Sequence, residues 1–149
     1  MASWQYDFHL IPIGDGRGSD VLKLRPDDLG LFDFSELWVG KHLPDGHEEF
    51  LNSCVMKCDS WHRDIESWGD RLGNIIEITV DNKNAVDISV RVDASAIDLR
   101  FLDCIVRFSE LCKCKLFTQD HELIEPTVDN ILSAIKGPKL RLQDNLIGS

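Results

Sequence analysis

The stretch Ile75-Ile76-Glu77-Ile78-Thr79-Val80-Asp81-Asn82-Lys83-Asn84-Ala85-Val86-Asp87-Ile88-Ser89-Val90-Arg91-Val92 decides the fold of this chain. Ile76, Ile78 and Val80 alternate with Glu77 and Thr79, and Val86, Ile88, Val90 and Val92 alternate with Asp87, Ser89 and Arg91. A period of two sends one set of side chains to a buried face and the other to a wet face. Between the runs lies Asp81-Asn82-Lys83-Asn84, four polar residues suited to a turn. The stretch therefore reads as a β-hairpin over about 75–92. Its apolar face needs a cover, and the following sequence supplies one. Ser95 and Asp98 form a capping-box-like start, after which Leu102, Ile105, Val106, Phe108, Ser109 and Cys112 recur at helical spacing. This predicts a helix over about 97–114. Pro126-Thr127 opens another over about 128–136, with Val128, Ile131, Leu132 and Ile135 on one stripe and Gly137-Pro138 as its stop. The expected class is α+β: an antiparallel or mixed sheet around a central hairpin, covered on one face by these two helices.

Further from the hairpin, Lys115–Thr118 and Glu122–Ile124 read as short strands, and Trp4–Ile13 as a first strand because Tyr6, Phe8 and Leu10 alternate with Asp7 and His9. Residues 21–46 carry apolar side chains broken by Gly30, Gly40 and Pro44, with a short helix starting at Ser35. Glu48–His62 reads as a helix, since Phe50, Leu51, Cys54, Val55, Cys58 and Trp61 are spaced by threes and fours. At 149 residues the chain fits a single domain, 1–149, with 139–149 as a loose tail.

Charge separates the two halves. The net charge is −10, and residues 1–74 hold 14 acidic against 7 basic side chains. Within Asp27–Glu49, seven carboxylates face Lys41 alone. Such a field repels phosphate backbones, which argues against nucleic-acid binding, and steers basic proteins inward. No apolar run approaches a membrane span, and Met1–Tyr6 lacks the pattern of a signal peptide, so a cytoplasmic, bacterial location is expected, with no membrane partner. Five cysteines, an odd number, read as reduced thiols.

Gly14-Asp15-Gly16-Arg17-Gly18 follows a strand but lacks the Lys-Ser/Thr ending of a phosphate loop, and reads as a turn. A calcium loop starting at Asp15 meets Pro26 where an acid is required. On a continuous helix, Cys54, Cys58 and His62 would share a face, a spacing able to hold zinc with a fourth ligand from elsewhere. Two core thiols and a boundary histidine explain the same pattern. Cys112-Lys113-Cys114 reads as one buried and one exposed thiol, and Asp93 and Asp98 with Arg100 as a helix cap and ion pair. Trp38, within the acidic stretch, reads either as core or as an interface anchor ringed by carboxylates.

The run Trp68-Gly69-Asp70-Arg71-Leu72-Gly73-Asn74, the hairpin ending Val90-Arg91-Val92-Asp93, Phe101-Leu102, Cys114-Lys115-Leu116-Phe117 and Leu123-Ile124-Glu125-Pro126-Thr127 together resemble a group of small bacterial immunity-type proteins encoded beside secreted toxins. The resemblance covers residues 68–137 and implies a scaffold shared with proteins that bind and neutralise a cognate toxin. The leading expectation is accordingly an immunity-type binding protein, not an enzyme, with no catalytic residue, metal or cofactor. It would act as a monomer or homodimer and engage a basic toxin or effector domain through Asp27, Asp28, Asp33, Glu36, Trp38, Asp45, Glu48 and Glu49. The alternatives are a small metal-dependent or thiol enzyme using Cys54, Cys58 and His62, and a structural or adaptor domain.

Overall fold

The computed structural model describes residues 4–13, 33–82 and 84–136. In chain order the elements are β1 (Gln5–Pro12), a 3-10 turn (Ser35–Trp38), α1 (His47–Cys54), β2 (Lys57–Cys58), β3 (Ile65–Gly69), β4 (Ile75–Asp81) and β5 (Asn84–Asp93). They are followed by α2 (Leu99–Leu111), β6 (Cys114–Thr118), β7 (Leu123–Ile124) and α3 (residues 128–136). Among the described residues the strands form one seven-stranded sheet, ordered β2-β3-β4-β5-β1-β6-β7. Every neighbouring pair is antiparallel. The fold is thus α+β, as the hairpin and its flanking helices predict.

Register explains the core. The β4–β5 hairpin sets Ile78 opposite Ile88 and Ile76 opposite Val90. Val90 in turn faces Phe8 of β1, and Ile76 faces Trp68 of β3. Directly opposed residues share a face, so Trp68, Ile76, Val90 and Phe8 form one apolar row across four strands. All four are 0–1% exposed. Leu51 of α1, Phe101, Leu102, Ile105 and Phe108 of α2, and Ile131 of α3 complete this core. The helices are therefore on one face, as expected, with α1 joining α2 and α3 in the cover. A smaller cluster of Ile11, Phe34, Leu37 and Phe117 packs on the opposite side of the β1–β6 pair. Much of that second face is polar: Asp7 meets Arg91 at 3.3 Å, and His9 Nδ1 lies 2.8 Å from the Asp87 carboxylate.

β1 lies between β5 and β6 and runs antiparallel to both, so β5 and β6 are parallel to each other. Parallel strands need a long connection, and the 13-residue helix α2 provides it. Its start corrects the capping-box reading. Asp98 itself is the N-cap, accepting from the backbone N–H groups of Arg100 and Phe101, while the Ser95 hydroxyl donates to Asp93. At α3, the Thr127 hydroxyl accepts from Asn130 N–H, so the expected opening at Pro126-Thr127 holds.

Two further expectations are corrected. The predicted helix Glu48–His62 stops at Cys54, because Val55 turns to extended backbone with φ −139° and ψ 139°. The chain then enters β2, which pairs with β3 and puts Lys57 opposite Trp68. Apolar spacing of three and four carried the helical reading too far, since sheet pairing captures Lys57 and Cys58. The second correction is β3. The sequence shows no strand just ahead of the hairpin, yet Ile65–Gly69 is a paired strand with Trp68 fully buried. Gly69 does carry the turn: its φ is +119°, and a Cβ there would overlap the carbonyl oxygen of Asn74. The glycine loop 14–18, the helix stop at Gly137-Pro138 and the tail 139–149 lie outside the described residues.

Candidate functional site

The sequence between β1 and β2 carries most of the expected binding residues. Asp27 and Asp28 fall outside the described residues. Asp33, Glu36, Asp45 and Glu49 are exposed and Glu48 is half-buried. Asp33 closes a local turn by accepting the Ser35 N–H at 2.9 Å, and hydrogen bonds from Ser35 hold its carboxyl below the usual aspartate value. A carboxylate stabilised in this way stays charged well into the acid range.

Trp38 does not present its ring to a partner. It is 3% exposed and packs in the main core. The 3-10 turn is amphipathic, so Leu37 and Trp38 turn inward while Glu36 stays in solvent. The core reading of Trp38 is the one realised. Among the described residues its indole N–H is buried without a hydrogen-bond partner, whereas that of Trp68 donates to Asn52 at 2.9 Å. The exposed tryptophans are Trp4 and Trp61, the latter donating to Glu77.

Cys54, Cys58 and His62 are not brought together. Cys54 ends α1, Cys58 lies in β2, and His62 sits in the exposed turn before β3, its Nδ1 accepting the Asp64 N–H. The shared helical face disappears with the helix itself. Burial raises the Cys58 thiol, and raises Cys104 and Cys114 further. Cys112 is half-buried and its thiol is pushed up to about 12 by desolvation. Neither member of the Cys112–Cys114 pair is therefore exposed, contrary to expectation. Neutral, inert thiols follow from such surroundings.

The structure assembles a different group. A cavity of about 400 Å³ opens between the start of α1 and the far end of the β3–β4–β5 sheet, lined by His42, Leu43, His47, Glu48, Glu66, Val80, Asn84 and Ala85. In it, one ligand-type atom from each of His47, Glu48 and Glu66 lies within 4.8 Å of the others. Among the described residues this is the one such cluster of three or more His, Cys, Asp or Glu side chains. Each member is half-buried. Local sequence positions them. Gly46 adopts φ 86° as the N-cap of α1, releasing His47 and Glu48 into the first helical turn. Glu66 stands opposite Ile78, on the helix-covered side of the sheet, with Lys57 Nζ 3.8 Å from its Oε1. His47 Nδ1 lies 3.1 Å from the Pro44 carbonyl. A carbonyl can only accept, so Nδ1 carries a proton, and in the neutral ring Nε2 holds the lone pair. A second cavity of about 380 Å³ adjoins the first, sharing His42, Asn84 and Ala85, and Trp38 contributes to its wall.

Of the expected binding set, then, Glu48 alone joins this cluster. His47 and Glu66 were missed by sequence reasoning. His42 and His47 lie within an already conspicuous acidic segment, but Glu66 is 18 residues beyond Glu48 and no local spacing connects them.

Comparison with protein-family models, curated proteins and solved structures returned no match for this chain. Among the described residues no helix is long and apolar enough to cross a membrane.

Proposed function

We propose that this chain is an immunity-type binding protein, acting in the bacterial cytoplasm, that neutralises a basic toxin or effector domain through the acidic surface between β1 and α1. The observation that carries the reading is the exposure of Asp33, Glu36, Asp45 and Glu49 on a chain of net charge −10. Exposed carboxylates cost little to desolvate at a rim, and their summed field accelerates encounter with a cationic partner. The resemblance of residues 68–137 to immunity-type proteins supplies the biological class. Binding, not catalysis, is the role this surface supports, and the scaffold beneath it holds the segment in place through the buried Phe34, Leu37 and Trp38.

The test uses the C-terminal domain of the secreted protein encoded beside this chain. Co-expression with the wild-type chain is expected to restore growth. Reversing Asp33, Glu36, Asp45 and Glu49 to Lys is expected to slow association on the order of tenfold or more and to flatten its salt dependence. Failure of the wild-type chain to protect would overturn the function. Protection and association kinetics unchanged by the four reversals would overturn the placement of the surface.

A further inference from the structure

We infer that His47, Glu48 and Glu66 form a binding site for a divalent transition-metal ion, with Zn²⁺ the best-fitting ion. This inference is independent of the toxin-neutralising role and concerns the cavity, not the exposed carboxylates around it.

Three features of the cluster point to a metal. The first is donor chemistry. One imidazole nitrogen and two carboxylates make a mixed N/O set, which suits zinc and its neighbours better than Mg²⁺ or Ca²⁺, whose sites are built from oxygen alone. The second is the tautomer. The Pro44 carbonyl accepts from His47 Nδ1, which fixes the ring plane and, in the neutral ring, puts the lone pair on Nε2. A histidine that ligates a metal through one nitrogen is commonly anchored through the other in this way. The third is convergence. Two carboxylates within 4.8 Å of one another and of the imidazole repel each other, and Lys57, at 3.8 Å from Glu66 alone, offsets only part of this. A bound dication neutralises both. With metal–ligand distances of about 2.0–2.2 Å, tetrahedral donors stand roughly 3.4 Å apart, so the side chains need to close by only about an ångström.

The site also has the right access. His47 and Glu48 come from α1 and Glu66 from β3, so the ion would tie the helix layer to the sheet. Three protein ligands leave a fourth position facing the cavity of about 400 Å³. Open three-ligand sites of this kind accept water or an incoming donor group. Lys57 stands 3.8 Å from Glu66, and a metal ion must compete with it for that carboxylate.

Isothermal titration of the full metal-free chain with ZnCl₂ tests the inference, with MgCl₂ as the control ion. One equivalent of Zn²⁺ per chain is expected, with a preference over Mg²⁺ on the order of a hundredfold. H47Q and E66Q are each expected to weaken Zn²⁺ binding about tenfold or more, while K57Q, which removes the competing ammonium, is expected to strengthen it. The double variant C54S/C58S is expected to bind like the wild type. A ring-nitrogen NMR spectrum of the unmutated chain gives a readout independent of variant folding: Zn²⁺ should move the His47 resonances and leave His62 in place. The inference is overturned by no saturable binding, by undiminished affinity in both H47Q and E66Q, by loss of binding in C54S/C58S, or by a titration that moves His62 and not His47.

Discussion

Single residues in this protein are held by backbone geometry as much as by burial. Gly69 ends β3 at φ +119°, and the space for a side chain there is occupied by the Asn74 carbonyl. The same turn is closed by the Asp70 N–H donating to Asn74 O at 2.8 Å and by Asn74 Oδ1 accepting from Asp93 N–H at 2.7 Å. A Gly69→Ala variant must therefore move the backbone that sets the β3–β4 register. It is expected to lose at least about 1–3 kcal/mol of stability from strain alone. Denaturant unfolding measures this, and a loss below about 0.5 kcal/mol would show that the turn relaxes freely. Trp38 makes the complementary point. It lies buried in the core, but its indole N–H finds no partner among the described residues. Its place in an acidic stretch suggested an interface anchor, and only packing reveals that the ring lies inside.

At the scale of elements, the ends of helices show where local signals are trustworthy. Asp98 caps α2 with two backbone hydrogen bonds, and the aspartate there was legible as a start signal. The partner assigned to it, Ser95, belongs instead to a small turn with Asp93. Asp98→Ala is expected to cost about 1 kcal/mol and to lower Tm by about 2–4 °C. Ser95→Ala is expected to stay within about 0.5 kcal/mol. Thermal unfolding of the two variants separates the readings, because the reverse ranking would restore Ser95 as the cap. The end of α1 was not legible. Phe50, Leu51, Cys54, Val55 and Cys58 continue a helical spacing, but Lys57 and Cys58 gain strand partners in β3 that outweigh a further turn of helix. Strand β3 was missed for the matching reason. Ile65-Glu66-Ser67-Trp68 does not alternate, since Ile65 shares a face with Ser67 and Trp68 with Glu66, and nothing marks it as a strand before the pairing with β4 is known.

For the whole molecule, one face of a seven-stranded sheet is sealed by three helices and the other is largely polar. The distribution of thiols follows from this layering. Cys104 and Cys114 are buried between helices and sheet, Cys112 lies at the edge of the core, and Cys54 is exposed. A disulfide reagent applied to the native chain near pH 8 is expected to label Cys54 first. Cys112, with its thiol pushed up to about 12 by burial, is expected to react orders of magnitude more slowly, because the thiolate is the reacting species. Mass mapping of partly labelled protein reads the order. Equal rates for Cys54 and any of Cys104, Cys112 or Cys114 would mean that the helix layer opens far more readily than its packing indicates. The same layering places the acidic surface. The segment from β1 through the first turn of α1 presents Asp33, Glu36, Asp45 and Glu49 outward while anchoring itself through inward apolar neighbours.

By itself the sequence determined five of the seven strands and the two helices α2 and α3 that cover them. The alternation in 75–92 and in β1, and the threefold and fourfold spacing in α2 and α3, are local patterns that only one arrangement of faces can bury. It also determined the acidity, which is a sum over residues and needs no fold. Tertiary structure alone decided the site. Whether Trp38 faces solvent, whether Cys54, Cys58 and His62 meet, and whether His47 and Glu48 find Glu66 depend on which strand pairs with which. That pairing is set by side chains far apart in the chain, so no spacing along the sequence could express it.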